Sequence, residues 1–378
     1  MFSLPFKKAY ATLNLLEVSE KALRQNHAAL QAPHPEARIC PVLKSNAYGH
    51  GLATVTPVFD SFKAPFLVVD SLYEAYELTK LQAKTPILIL GYTDPSNFSV
   101  KQLPYHVAVY NQDIVAELSK SQKHARIHLF VDTGMCREGI PLEELQTFIR
   151  FTKTQKNVEV VGLCSHLADA DSSVDEKTTN MQYAMFKKAL QIIRKEGIDP
   201  VWKHLSASAG SYTLFDTDVN MIRAGLASYG ISPLDEKDPV RGNIMLHPAL
   251  QFVSTLVQVK HIKKGSRIGY NGTYTASKNM TIGIIPAGYY EGVDRRLSNK
   301  GGVLIAGKPC AILGRVSMNM TTIDLSQVPD AKVGESVVIY SNDSNQVNSI
   351  EKVAKIAGTI PYELLVHLAE SVRRVRLG

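Results

Sequence analysis

Residues 38–51 read RICPVLKSNAYGHG, an apolar run of strand length, Arg38–Lys44, that breaks at a lysine and runs into a glycine-bounded polar turn. Short apolar runs between turn residues mark strands buried on both faces. Seven more follow, at Pro65–Val69, Pro86–Leu90, His106–Tyr110, Arg126–Asp132, Glu159–Ser165, Trp202–Ser206 and Val219–Arg223. Between them lie segments of helical period, Ser71–Ala83, Gln112–Gln122, Leu142–Gln155 and Glu176–Glu196, whose lengths suit right-handed crossovers between parallel strands. An amphipathic helix is expected ahead of them over Glu17–Gln31. Eight β-α units in about 230 residues match a TIM (β/α)8 barrel. A doubly wound open sheet is the alternative, because periodicity does not count closure.

From about Pro239 the pattern changes. Strand-like runs at Leu250–Ile262, Thr281–Pro286, Val303–Ala306, Ala311–Leu313, Thr321–Leu325 and Ser336–Tyr340 are separated by glycine-containing turns, and short helices are expected over Ser349–Ala357 and Tyr362–Glu370. The fold expected is therefore α/β plus β, with a barrel domain over residues 12–238 and a β-rich domain over 239–378. A chain of 378 residues is long enough for two cores.

Hydrophobic residues make up 45% and charged residues 20%, and no apolar run reaches transmembrane length, so no membrane role is expected. The opening MFSLPFKKAY lacks an apolar stretch followed by a small-residue cleavage site, which predicts a cytoplasmic protein. Cys40, Cys136, Cys164 and Cys310 are widely spaced and predict free thiols. The net charge of +7 comes from scattered lysines and arginines, which argues against nucleic acid as a partner. Arg373, Arg374 and Arg376 read as a solvated tail.

In a closed barrel the reactive groups lie just after each strand. Those positions hold Lys44 and Tyr48 after the first run, Arg137 after the fifth, His166 after the sixth, Ser208 after the seventh, and Arg223, Ala224 and Gly225 at the eighth. A lysine among cations is suited to attack an aldehyde and form a Schiff base. Hydroxyls and glycine N–H groups after the last two strands suit a phosphate. A phosphorylated aldehyde cofactor fits both halves. A metal does not, since His166 has only Asp169 and Asp171 nearby on its loop.

The motif PVLKSNAYGHG at Pro41–Gly51 closely resembles the cofactor-lysine motif of alanine racemases. Further matches follow in order: VDTGMCREG from Val131, SHLADAD from Ser165, HLSASAG from His204, NMIRAGLASYG from Asn220, GYNGTYTA from Gly269, PAGYYEG from Pro286, GRVSMN from Gly314 and TIPYELL from Thr359. The resemblance implies a barrel plus a β domain that also takes up residues 1–11, and a homodimer. It implies pyridoxal 5'-phosphate on Lys44, with the phosphate held by Tyr48, Ser208, Gly225, Leu226 and Tyr362. Arg223 is placed at the pyridine nitrogen, His166 behind it, and Arg137 at the phenolic oxygen and the substrate. Met318 and Tyr289 are placed at the substrate and its entry, with the Met318 side chain expected to pack and its backbone N–H to act. Tyr270 becomes the second acid/base, supplied by the partner subunit, and the implied product is D-alanine for peptidoglycan.

Racemisation needs proton exchange on both faces of the cofactor, which Lys44 and Tyr270 supply. A decarboxylase of similar architecture would want a carboxylate at the ring nitrogen, and a non-enzymatic carrier would lack the second domain; a broader amino-acid racemase stays open. Two positions depart from the pattern. Phe130 stands where many members have a lysine whose carbamate holds the arginine matching Arg137, and Asn319 replaces a usual aspartate. Arg137 is therefore expected to find another partner: chloride, Asn319, some other acceptor, or the Phe130 ring.

Overall fold

The computed structural model describes residues 11–213 and 218–378. Residues 1–10, expected in the β domain, lie outside the described residues. Contacts divide the chain into two units, one of Glu20–His247 and one joining the segment before Glu20 to Pro248–Gly378. The division falls after the change of pattern near Pro239. Asn26 explains this locally: its side chain donates to His247 O at 2.9 Å and accepts from His247 N at 2.7 Å, tying that segment to the first helix.

In the first unit eight parallel strands close on themselves. They are β1 (Arg38–Pro41), β2 (Leu67–Val69), β3 (Ile87–Ile89), β4 (His106–Val109), β5 (Ala125–Asp132), β6 (Val158–Cys164), β7 (Trp202–His204) and β8 (Met221–Ala224). Strands β2 to β7 pair in sequence order, and β8 pairs with β1 in the register Met221 to Arg38. Bridges from Val42 to Val68 and from Ala207 to Arg223 complete the circle. That closure excludes the open sheet. Strands β2, β3 and β4 are buried at every residue, which is why they read as unbroken apolar runs.

The outer helices are fixed by their caps and apolar faces. Ser71 and Glu74 form a capping box at the start of helix Leu72–Lys80. Asn111 caps Gln112–Ser121, whose Ile114, Val115 and Leu118 face the barrel. The long helix Lys177–Lys195 buries Phe186, Leu190 and Ile193. No helix among the described residues is long and apolar enough to cross a membrane.

The second unit holds a six-stranded sheet in the order Lys308–Ala311, Gly302–Ile305, Ser336–Tyr340, Leu250–Thr255, Leu15–Ser19, Arg373–Leu377. A three-stranded sheet of Gln258–Ile262, Met280–Ile285 and Thr321–Asp324 accompanies it. Three expectations are corrected here. The helix expected from Glu17 begins at Glu20, because Leu15–Ser19 is a strand. Leu250–Ile262 is two strands in different sheets. Arg373–Leu377 is a parallel edge strand, not a solvated tail, and Arg374 donates to Leu368 O, Ala369 O and Val372 O. Arginines on an edge strand also discourage pairing with a further chain.

Candidate active site

The lysine motif folds in an uncommon way. After β1 the chain makes a left-handed turn, with φ of 55°, 53°, 56° and 51° at Ser45, Asn46, Ala47 and Tyr48. Each such residue costs about 1–2 kcal/mol, so the turn must be held from outside. Glu74 does part of this. Its carboxylate accepts from Ser45 N at 2.6 Å and from Asp70 N at 2.9 Å, while Asn46 Oδ1 accepts from Leu52 N at 2.8 Å. The turn leaves Lys44 half-exposed at the strand tip, its Nζ 3.7 Å from Asp70 Oδ1.

The same turn brings Tyr48 to the end of β8. A Cβ on Gly225 would lie 2.4 Å from the Tyr48 hydroxyl, so only glycine leaves room for it. Ser208 Oγ accepts from Gly225 N at 2.9 Å and from Ala227 N at 3.2 Å, and Leu226 is buried between them. The Tyr48 and Ser208 hydroxyls and the N–H groups of Gly225 and Ala227, which rest on Ser208 Oγ, thus meet at one point, donors of the kind a phosphate would draw on.

Arg223 is buried, and its guanidinium meets only neutral acceptors. Nη1 lies 2.7 Å from His204 Nδ1 and donates to His204 O at 2.9 Å; Nη2 donates to Ser165 O at 2.7 Å and lies 3.1 Å from His166 Nδ1. Burial pulls its pKa down from the ordinary arginine value. No carboxylate pairs with it among the described residues. His166 is pushed down to about 3, first by burial and then by the charges of Arg223, Arg137 and Lys44, so it is a neutral acceptor. Three cations around one neutral imidazole make the mouth electropositive, which suits an anionic cofactor and a carboxylate substrate.

Arg137 sits on a loop shaped by Asp132, whose Oδ1 accepts from Gly134 N, Met135 N and Cys136 N at 2.8, 3.0 and 3.2 Å. Its partner is the next residue. Glu138 receives Arg137 Nε on one oxygen and Nη2 on the other, the latter at 2.6 Å, and raises the arginine's pKa. Of the alternatives expected for Arg137, this is the other acceptor. Asn319 instead donates to Glu291 Oε1 at 2.7 Å, and the Phe130 ring packs edge-on against Tyr110.

In the second unit Tyr270 stands on the turn between strands Arg267–Ile268 and Tyr274–Thr275. It is 70% exposed. Tyr289 and Met318 lie together: Tyr289 N donates to Ser317 O at 3.0 Å and Tyr290 N to Met318 O at 2.9 Å. Both side chains are exposed, which corrects the expectation that Met318 packs. Tyr362 is half-buried in helix Pro361–Val366.

Sequence reasoning missed Glu74, Glu138 and Gln182. Gln182 is fully buried and holds the His166 loop, donating to His166 O at 3.0 Å and accepting from Ala168 N at 2.8 Å. A glutamine on the apolar face of helix Lys177–Lys195 was the available signal, since a buried amide must be satisfied.

Family models described as the alanine racemase N-terminal and C-terminal domains match residues 18–233 and 249–376. An alanine racemase of Syntrophobacter fumaroxidans is 33% identical over 356 residues, 92% of this chain and 93% of its own. One from Methanococcus maripaludis is 33% identical over 368 residues, 96% of this chain and 98% of its own. The crystal structure of alanine racemase from Bacillus anthracis with bound L-Ala-P is similar at a TM-score of 0.90 and 29% identity, covering 98% of this chain and 96% of that one.

Proposed function

The chain belongs to the alanine racemase family, and on that premise we propose how its own residues share the reaction. It is a racemase that interconverts L- and D-alanine with pyridoxal phosphate as cofactor. When bound, the cofactor withdraws electrons from the substrate's α-carbon and so acidifies the α-proton. Lys44 would hold the cofactor and move a proton at Nζ on one face; Tyr270 would move one at its hydroxyl on the other. Tyr48, Ser208, the backbone of Gly225 and Leu226, and Tyr362 would hold the phosphate. Arg137 would meet the cofactor's phenolic oxygen and the substrate carboxylate, and Met318 and Tyr289 would line the approach.

The observation that carries this reading is Arg223, buried and held by neutral acceptors alone. A guanidinium does not give up a proton, so an Arg223 facing the ring nitrogen keeps that nitrogen unprotonated. Electron withdrawal is then moderate, and the outcome depends on which side chain returns the proton. That favours racemisation over decarboxylation.

The reading further makes the enzyme a cytoplasmic homodimer that supplies D-alanine for peptidoglycan, with Tyr270 of each subunit serving the other's barrel. Exposure of Tyr270 and of the mutually neighbouring Tyr290 and Met318 supports it, because large apolar groups left in the open mark an interaction surface. Mixing inactive Lys44→Ala and Tyr270→Ala subunits under exchange conditions is expected to restore one working site per mixed dimer. Absence of complementation, despite demonstrated exchange, would place the site within one chain.

Glu138 supplies the anion that Phe130 cannot. We expect Glu138→Gln to raise KM for alanine roughly tenfold, since a bidentate charged pair is lost. The unmodified enzyme is expected to respond to neither bicarbonate nor chloride. Activation by bicarbonate, or a KM that rises when chloride is removed, would show that Arg137 relies on a different anion.

A further inference from the structure

Behind Arg223 a chain of imidazoles runs down the inside of the barrel. His204 Nε2 lies 2.8 Å from His128 Nδ1, and His128 Nε2 lies 3.2 Å from His106 Nδ1. His204 and His128 are fully buried and His106 is 6% exposed. His204 ends β7, His128 lies within β5 and His106 begins β4, so the chain passes from the mouth of the barrel toward its opposite end. Phe66 packs edge-on against both His106 and His128. Space for the middle ring is provided by Gly162, where a Cβ would lie 2.1 Å from His128 Nδ1.

The direction of this chain follows from its end on Arg223. A guanidinium only donates, so His204 Nδ1 accepts and a neutral His204 carries its proton on Nε2. That proton points at His128 Nδ1, which puts the His128 proton on Nε2, and this in turn points at His106 Nδ1. At the far end Arg126 Nη1 lies 3.4 Å from His106 Nε2, a much longer approach than the 2.7 Å of Arg223 to His204, so the Arg223 end sets the order of the first two rings and the His106 Nε2 proton is opposed by Arg126. Burial holds all three imidazoles neutral: His106 is lowered to about 4, and His128 and His204 are well below the ordinary histidine value. A chain ending on a group that keeps its protons is no proton wire. Its effect is to fix a ring and to strengthen an acceptor, because each donated proton makes the next nitrogen a better lone-pair donor.

We infer that His128, backed by His106, is a positioning residue that fixes the His204 ring with its Nδ1 lone pair on Arg223 and thereby aims the guanidinium at the cofactor. The inference rests on the assignment of Arg223 to the cofactor ring made above. His128→Asn and His128→Leu separate this role from packing. The two replacements are similar in size, but only asparagine offers an oxygen close to the lost Nδ1. The leucine variant leaves the His204 N–H buried without an acceptor, and about a tenfold loss in both kcat and pyridoxal phosphate affinity is expected; the asparagine variant should stay within about threefold.

The tautomers are read separately, by ¹⁵N NMR of histidine-labelled full-length protein with and without pyridoxal phosphate. His128 and His204 are expected neutral and protonated on Nε2. A proton on Nδ1 of either of them overturns the inference and leaves the Arg223 assignment standing. Correct tautomers with a leucine variant unchanged in cofactor affinity and turnover overturn it from the other side, through the Arg223 assignment. Equal losses in the asparagine and leucine variants reduce His128 to packing, which also overturns it. Should the leucine variant fail to fold, the tautomers of the unmodified protein and the asparagine variant decide the matter.

Discussion

Replacement of Lys44 by alanine is expected to abolish covalent attachment of the cofactor and to lower turnover by at least about a thousandfold, the scale on which enzymes lose an acid/base or nucleophile. The amine at this position does two things that no neighbour can do. It stands at the tip of β1 on a left-handed turn that Glu74 and Asn46 hold against its own strain. It also faces a mouth whose other cations are guanidinium groups, which neither attack a carbonyl nor exchange protons. The purified protein should therefore absorb visible light through its cofactor, and reduction with borohydride should fix the cofactor to a single peptide containing Lys44. A labelled peptide without Lys44, or the same adduct in the alanine variant, would contradict the assignment.

Replacement of Tyr270 by phenylalanine is expected to cost turnover on a similar scale while sparing cofactor binding. The ring stays and only the hydroxyl goes, so the turn that presents it keeps its form. That turn is held without the hydroxyl: the Arg267 side chain donates through Nη2 to Asn271 O at 2.7 Å, and Asn271 takes a φ of 61°. Tyr270 is 70% exposed in the chain, and loss of its hydroxyl should leave stability within about 0.5 kcal/mol of the parent, the usual range for surface changes.

The barrel was legible because β2, β3 and β4 are buried at every residue and most of the other strands over most of their length, which gives short, largely apolar runs with polar reactive tips. Lys44, Arg223 and His166 could be found from that rule alone. Leu15–Ser19 was not, since a five-residue strand directly abutting helix Glu20–Gln31 blends into its periodicity. Arg373–Leu377 was hidden by its arginines, which describe an edge strand only once a neighbour is known. Glu138 was overlooked because adjacent side chains in extended chain point apart; here Cys136 at φ 55° and Gly139 at φ 125° bend the loop around the pair. The histidine chain has no spacing to detect, as its members lie on three strands that only barrel closure brings together.

The two-face division of labour is tested most directly by solvent-deuterium exchange at the α-carbon under single-turnover conditions, comparing the unmodified enzyme with Tyr270→Phe. If Tyr270 and Lys44 serve opposite faces in the sense the family implies, the variant takes up deuterium from L-alanine far more slowly than the parent, while uptake from D-alanine is slowed much less because Lys44 still removes that proton. Equal slowing from both enantiomers, with the cofactor still bound to Lys44, would contradict the account.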